Sequence, residues 1–160
     1  MIHWGIEYQT EQNAYQEQIA QLLFDNGADI ILGGHSHVLQ PLALRTLTDP
    51  DGSTHQGFVC YSLGNFISSQ NDRLTDVTAA LTLELTKDPK TGIAEVSGYS
   101  YKPMLMLDRE SGADVRFELL DVYKTLGSGQ ADAALTAKLE QAVIDCHSIL
   151  GAENSAAAQE

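Results

Sequence analysis

Apolar residues change their spacing along this chain, and the changes divide it into elements. Residues 11–26 place Ala14, Ile19, Ala20, Leu22, Leu23 and Phe24 at helical spacing, with Gln and Glu on the opposite face. That pattern predicts an amphipathic helix, stopped by Asn26-Gly27. Residues 28–32 (Ala28-Asp29-Ile30-Ile31-Leu32) form a short apolar run and read as a buried strand. Met1-Ile2-His3-Trp4-Gly5 reads as another strand end running into a loop. Strand, helix and strand with a right-handed crossover make a βαβ unit, which predicts a parallel pair. Ile2-His3-Trp4 has no earlier strand to pair with, so the chain is expected to begin inside a larger domain.

The spacing changes character after Pro41. Residues 42–47 and 57–63 read as a hairpin, joined by the turn Thr48-Asp49-Pro50-Asp51-Gly52-Ser53. Residues 77–86 alternate Val77, Ala79, Leu81, Leu83 and Leu85 with polar neighbours, as a half-buried antiparallel strand does. A second turn, Lys87-Asp88-Pro89-Lys90-Thr91-Gly92, returns the chain as a strand over 93–102. Residues 103–114 are expected to be irregular, with a turn at Asp108-Arg109-Glu110-Ser111-Gly112. Residues 117–126 are expected to be helical, stopped by Gly127-Ser128-Gly129. A clearer helix spans 131–150, with Ala134, Leu135, Leu139, Val143, Ile149 and Leu150 on its apolar face. The small, polar tail 152–160 is expected to fray. The pattern therefore predicts an α/β class, α+β in part: a βαβ unit, an antiparallel meander, then C-terminal helices. It divides the chain into a domain portion at 1–106, a helical extension at 107–151 and a disordered tail at 152–160.

Composition narrows the function classes. The 160 residues are 43% hydrophobic, enough for a real core, and the length suits a single domain. With 22 acidic and 9 basic residues the formal charge is −13. Such a surface repels nucleic acid and anionic membranes. It repels a polyanionic polymer too, unless a metal or a local basic patch intervenes. The cysteines, Cys60 and Cys146, have no metal-ligand spacing; Cys60 lies in the apolar run Gly57-Phe58-Val59-Cys60-Tyr61 and reads as a buried free thiol. No apolar run approaches the ~18 residues of a membrane-spanning helix.

The chemistry concentrates in Gly33-Gly34-His35-Ser36-His37, directly after the 28–32 run. Two imidazoles one residue apart, on a glycine loop at a strand end, look like a metal-ligand loop for Zn, Mn, Fe or Ni, with mere polar punctuation of a loop as the competing reading. The glycines let the backbone bend and leave room for a metal and a phosphate. His3 occupies a matching strand end. In an open parallel sheet, ligands bind at the carboxyl ends of the strands, so neighbouring strands would bring all three imidazoles to one edge. No Asp or Glu lies in the glycine loop. Glu7 is the nearby carboxylate, for which a solvated or helix-capping role competes with a ligand role.

Three segments together resemble the bacterial capsule-synthesis family that includes the CapA poly-γ-glutamate synthesis proteins. They are His3-Trp4-Gly5-Ile6-Glu7-Tyr8, the stretch Gly27-Ala28-Asp29-Ile30-Ile31-Leu32-Gly33-Gly34-His35-Ser36-His37-Val38-Leu39-Gln40-Pro41, and Tyr61-Ser62-Leu63-Gly64-Asn65-Phe66. The family is similar to calcineurin-like metallophosphoesterases. The resemblance implies the C-terminal half of a four-layer α/β sandwich with a metal site at its sheet edge. By that resemblance His3, His35 and His37 are metal ligands at a catalytic centre, and Glu7 and Asn65 lie beside it toward substrate. For Asn65, a turn role after Gly64 competes. The implied cofactor is a divalent metal (Mn, Zn or Fe), two of them in a longer protein whose carboxylate and amide ligands precede His3. The implied partners are an anionic polymer or phosphoester and envelope proteins, with work at the cell envelope.

Three readings follow from this. In the first, metal held by His3, His35 and His37 activates water for phosphoester hydrolysis, one histidine protonating the leaving group. In the second, the same fold is a non-catalytic component of a polymer-assembly machine. In the third, it is a soluble fragment with idle histidines, and an unpaired sheet edge then predicts dimerisation. Of the rest, His55 is expected to be solvated in a hairpin turn and His147 to complement the dipole of the last helix. Trp4 is expected to be a core or pocket-wall aromatic. Arg45, Lys102 and Arg109 are expected in surface salt bridges, with contact to an anionic substrate as the alternative.

Overall fold

The computed structural model describes residues 1–70, 72–90, 92–108 and 116–156. Residues 109–112 of the expected turn, Arg109 among them, and residues 157–160 of the tail lie outside these. Strand β1 (Ile2–His3) leads through a loop into helix α1 (Ala14–Asp25). The helix starts at Asn13, which closes a capping box. Its side chain accepts from the Gln16 N–H at 3.0 Å, and its own N–H donates to Gln16 Oε1 at 3.1 Å. Glu7 therefore does not cap this helix. Strands β2 (Ile30–Gly34), β3 (Leu39–Thr48) and β4 (Thr54–Leu63) follow.

These four strands form one sheet in the order β1-β2-β4-β3. β1 and β2 run parallel, with His3 opposite Gly34, as the βαβ pattern predicts. β2 and β4 are also parallel, with Leu32 opposite Cys60. β3 returns antiparallel to β4, with Leu39 opposite Leu63. β4 is buried on both faces. Val59 and Tyr61 pack with Trp4, Ala20, Phe24 and Ile31 beneath α1. Phe58 and Cys60 join Leu39 and Leu42 in the larger core on the other face. Burial on both faces is why 57–61 reads as a continuous apolar run rather than an alternating one.

A second, antiparallel sheet of β5 (Val77–Lys87), β6 (Ala94–Asp108) and β7 (Phe117–Asp121) packs over that larger core. Two expectations are corrected here. Residues 103–108 are strand rather than irregular chain, because Met104–Asp108 pair with 117–121. Pro103 sits one residue before β7 begins to pair and two residues after the Tyr101–Ser155 bridge, in the gap between those contacts, where a missing N–H is tolerated. Residues 117–121 are likewise strand rather than helix. Helix α2 (Val122–Ser128) starts only where the Asp121 side chain accepts from the Lys124 N–H at 3.0 Å. Helix α3 (Ala133–Leu150) contributes Leu139, Ala142, Cys146 and Leu150 to the same core as both sheets. Residues 152–156 lie against β6, where the Ala156 N–H donates to the Tyr101 carbonyl at 2.8 Å. No helix among the described residues is long and apolar enough to cross a membrane.

His55 is not the solvated turn residue expected. Its Nδ1 lies 3.1 Å from Asp49 Oδ2 and its Nε2 3.1 Å from Asp29 Oδ1, so one imidazole joins the start of β2 to the β3–β4 turn. Carboxylates only accept, so both ring nitrogens donate when the ring is charged. Burial alone would lower its pKa; the hydrogen bonds and charges of Asp49 and Asp29 outweigh burial and raise it above the usual 6.5. The stabilisation is therefore full below about pH 6.5 and fades as pH rises through the raised value. Denaturant unfolding across pH 5.5–9 should show wild type losing stability relative to His55→Gln as pH rises; parallel curves would contradict the clasp. Leu139→Ala, at a fully buried side chain, should cost about 2–5 kcal/mol in the same assay.

Candidate functional site

The three parallel strands all end at one edge, and each delivers a polar side chain there. His3 closes β1, His35 and His37 follow β2, and Asn65 follows β4. Register does the aligning: His3 pairs with Gly34, so His35 comes next to it. Their ring centroids are 4.2 Å apart, and His35 and His37 are 6.2 Å apart. The loop after β1 is tied to the glycine loop by backbone bonds from Trp4 N–H to Gly34 O (3.1 Å) and Tyr8 N–H to Ser36 O (2.7 Å). The buried Ser36 hydroxyl donates to the Val38 carbonyl at 2.8 Å and tightens the turn between the histidines.

Strain concentrates here. Tyr8 (φ 64°), His35 (φ 110°) and His37 (φ 61°) are three of the four non-glycine residues with positive φ among the described residues. L-residues adopt this region at a cost, and such outliers cluster at functional sites. The loop is held from below by two fully buried glutamines. Gln16 Nε2 donates to Gln40 Oε1 at 2.8 Å, and Gln40 Nε2 donates to the carbonyls of Gln9 (2.9 Å) and Glu11 (3.1 Å).

His37 is the best-connected imidazole. Its Nδ1 lies 2.9 Å from Asn65 Oδ1, its Nε2 lies 3.6 Å from Glu7 Oε1, and the Tyr8 ring stacks on it at 5.7 Å. His3 and Glu7 are exposed; His35 and His37 are partly covered. Ile6, Tyr8, Phe66 and Ile67, on the segments that carry Glu7 and Asn65, are exposed apolar side chains. The imidazoles suit Zn, Mn or Fe in kind, and His37 has the oxygen partner on its second nitrogen that a metal-bound histidine normally has. Among the described residues no group of three His, Cys, Asp or Glu side chains is arranged to hold a metal ion.

The structure thus brings together all five residues singled out in the sequence, and adds Tyr8, Gln70, whose Nε2 donates to Tyr8 Oη at 3.0 Å, and the Gln16–Gln40 pair. Tyr8 lies inside the first motif but carries no spacing signal of its own. The glutamines look like surface residues in sequence, and only their burial marks them. Other candidates fall away from the site. Arg45 is paired with Glu17 at 2.9 Å, as expected of a salt bridge. Trp4 is a core aromatic whose indole N–H donates to the Tyr61 carbonyl at 2.9 Å. Burial pushes the Cys60 thiol up to about 12, which leaves it inert.

These features define a mixed α/β protein with an imidazole cluster at the carboxyl ends of its parallel strands. Residues 1–70 match the family described as Bacterial capsule synthesis protein PGA_cap. The chain is 39% identical over 95 residues to the PGA biosynthesis protein CapA of Bacillus subtilis (strain 168), covering 59% of this chain and 22% of that protein. It is 38% identical over 94 residues to the capsule biosynthesis protein CapA of Bacillus anthracis, covering 59% of this chain and 20% of that protein. The chain thus spans about a fifth of the length of these curated relatives. No solved structure matches. Through this segment the chain is similar to the CapA-like capsule synthesis proteins, the resemblance that its three motifs carry.

Gly33 is where the site meets the core. A Cβ there would overlap Trp4 Nε1 and the Tyr61 carbonyl oxygen, both rigidly held. Gly33→Ala should destabilise the fold by about 1–3 kcal/mol in denaturant unfolding, whereas Gly34→Ala, which meets nothing within 4 Å, should cost less.

Proposed function

We propose that this chain carries part of the metal-dependent phosphoester-hydrolysing site of a capsule or poly-γ-glutamate biosynthesis protein working at the cell envelope. The observation that carries the reading is the convergence of His3, His35 and His37 at the carboxyl ends of neighbouring parallel strands. In this reading His3, His35 and His37 would supply imidazole ligands to a divalent metal, Mn, Zn or Fe. When bound, the metal would lower the pKa of a water and polarise a phosphoryl oxygen. The chain's own residues do the rest. Glu7, half exposed and 3.6 Å from His37 Nε2, would accept a hydrogen bond from a bound water or a substrate hydroxyl. The metal also answers the charge problem, since a chain of formal charge −13 needs a cation to admit an anionic substrate.

The exposed apolar side chains of Ile6, Tyr8, Phe66 and Ile67 favour a second reading, a non-catalytic component that uses the same edge to bind polymer or an envelope partner. One experiment separates the two. Bound metal is measured by elemental analysis after Mn or Zn addition on the chain and on a His35→Ala, His37→Ala variant, and aryl phosphodiester hydrolysis on the full-length protein. The catalytic reading expects stoichiometric metal that the variant loses, and hydrolysis reduced about 10²-fold or more by His35→Ala in the full-length protein. Metal without hydrolysis would support the binding reading; no metal in either protein would overturn the metal site for this chain.

A further inference from the structure

The hydrogen bonds of Asn65 do not fit a simple turn role after Gly64. A turn asparagine bonds its own neighbouring backbone. The partners of Asn65 are Gln70, Thr75 and His37, which lie 5, 10 and 28 residues away. Its Nδ2 donates to Gln70 Oε1 at 2.8 Å and to the Thr75 carbonyl at 3.1 Å. A backbone carbonyl only accepts, so the amide nitrogen must face Thr75. Oδ1 is thereby turned to His37, 2.9 Å from Nδ1, where it too can only accept. In the neutral ring His37 must then carry its proton on Nδ1, which leaves the Nε2 lone pair free. Glu7 is too far, at 3.6 Å, to take Nε2 into a hydrogen bond.

The arrangement is closed on itself. Gln70 Nε2 donates to Tyr8 Oη at 3.0 Å, and the Tyr8 ring stacks on His37. The ring of contacts His37, Asn65, Gln70, Tyr8 joins the segments that follow β1, β2 and β4. It holds two residues, Tyr8 and His37, in the positive-φ region. Gly64 (φ 72°) aims Asn65, and a Cβ there would press on the Val77 carbonyl oxygen at 3.1 Å.

We infer that Asn65 is a positioning residue, braced by Gln70, that locks His37 in its Nδ1–H tautomer and so presents the Nε2 lone pair to the cleft. The use of that lone pair as a metal ligand rests on the proposed function; the tautomer does not. A histidine so fixed pays less ordering cost on ligation, and loss of such a partner weakens metal binding by about 10–100-fold.

The test is long-range ¹H–¹⁵N correlation NMR on the ¹⁵N-histidine-labelled chain at alkaline pH, with His37 assigned by His37→Gln. The wild-type His37 should show a protonated Nδ1 and a bare Nε2. Asn65→Ala should give a tautomer mixture, Asn65→Asp should restore the Nδ1–H form, and Gln70→Ala should loosen it in part. A zinc titration on the same samples should show the 10–100-fold loss in Asn65→Ala and its recovery in Asn65→Asp. A wild-type His37 protonated on Nε2 overturns the inference without any variant. So does an unchanged tautomer in a folded Asn65→Ala protein. A tautomer that shifts as expected in a chain that binds no zinc upholds the positioning role and removes the metal reading instead.

Discussion

One hydrogen bond fastens the three strands on which the site depends. Trp4, one residue past β1, sends its indole N–H to the Tyr61 carbonyl in β4, across the backbone of Gly33 in β2. The bond is buried, so breaking it would leave a donor and an acceptor without water. It is possible only because position 33 has no side chain. With β1, β2 and β4 drawn together in parallel register, their carboxyl ends coincide. The loops that leave those ends carry His3, His35, His37 and Asn65 to one edge.

The edge is supported by amides more than by charges. Gln16 and Gln40 hold the backbone of the loop after β1, and Asn65 and Gln70 hold the side chains above it. An amide can donate and accept at once, so each one passes a defined orientation to the next. Neutral groups also avoid the desolvation that a buried ion pair would suffer. This fits a chain with many acidic residues and few basic ones. The observed strain at Tyr8, His35 and His37 is sustained by this framework.

The elements that the chain pattern revealed are those whose neighbours lie close in sequence. The helix over 14–25, the parallel pair around it and the strand 77–87 were legible because a helix stripe or an alternating face is a local signal. The strand at 117–121 was not. Phe117, Leu119 and Leu120 suit a helix face as well as a strand, and only pairing with Met104–Asp108 decides between them. The same pairing turns 103–108 into strand despite Pro103. The role of His55 is hidden for a related reason, since Asp29 is 26 residues away from it and nothing local marks the contact.

The sequence by itself determined the chemistry on offer: which residues are imidazoles, that glycines precede them, and that apolar runs place them at strand ends. It determined the family likeness too, since motif order and spacing are linear properties. Only the tertiary structure decided which strands are neighbours, and therefore which side chains meet. It also decided the roles of the glutamines, of Tyr8 and of Asn65. A polar side chain gains its function from the partner it faces, and that partner is set by packing between segments far apart in the chain.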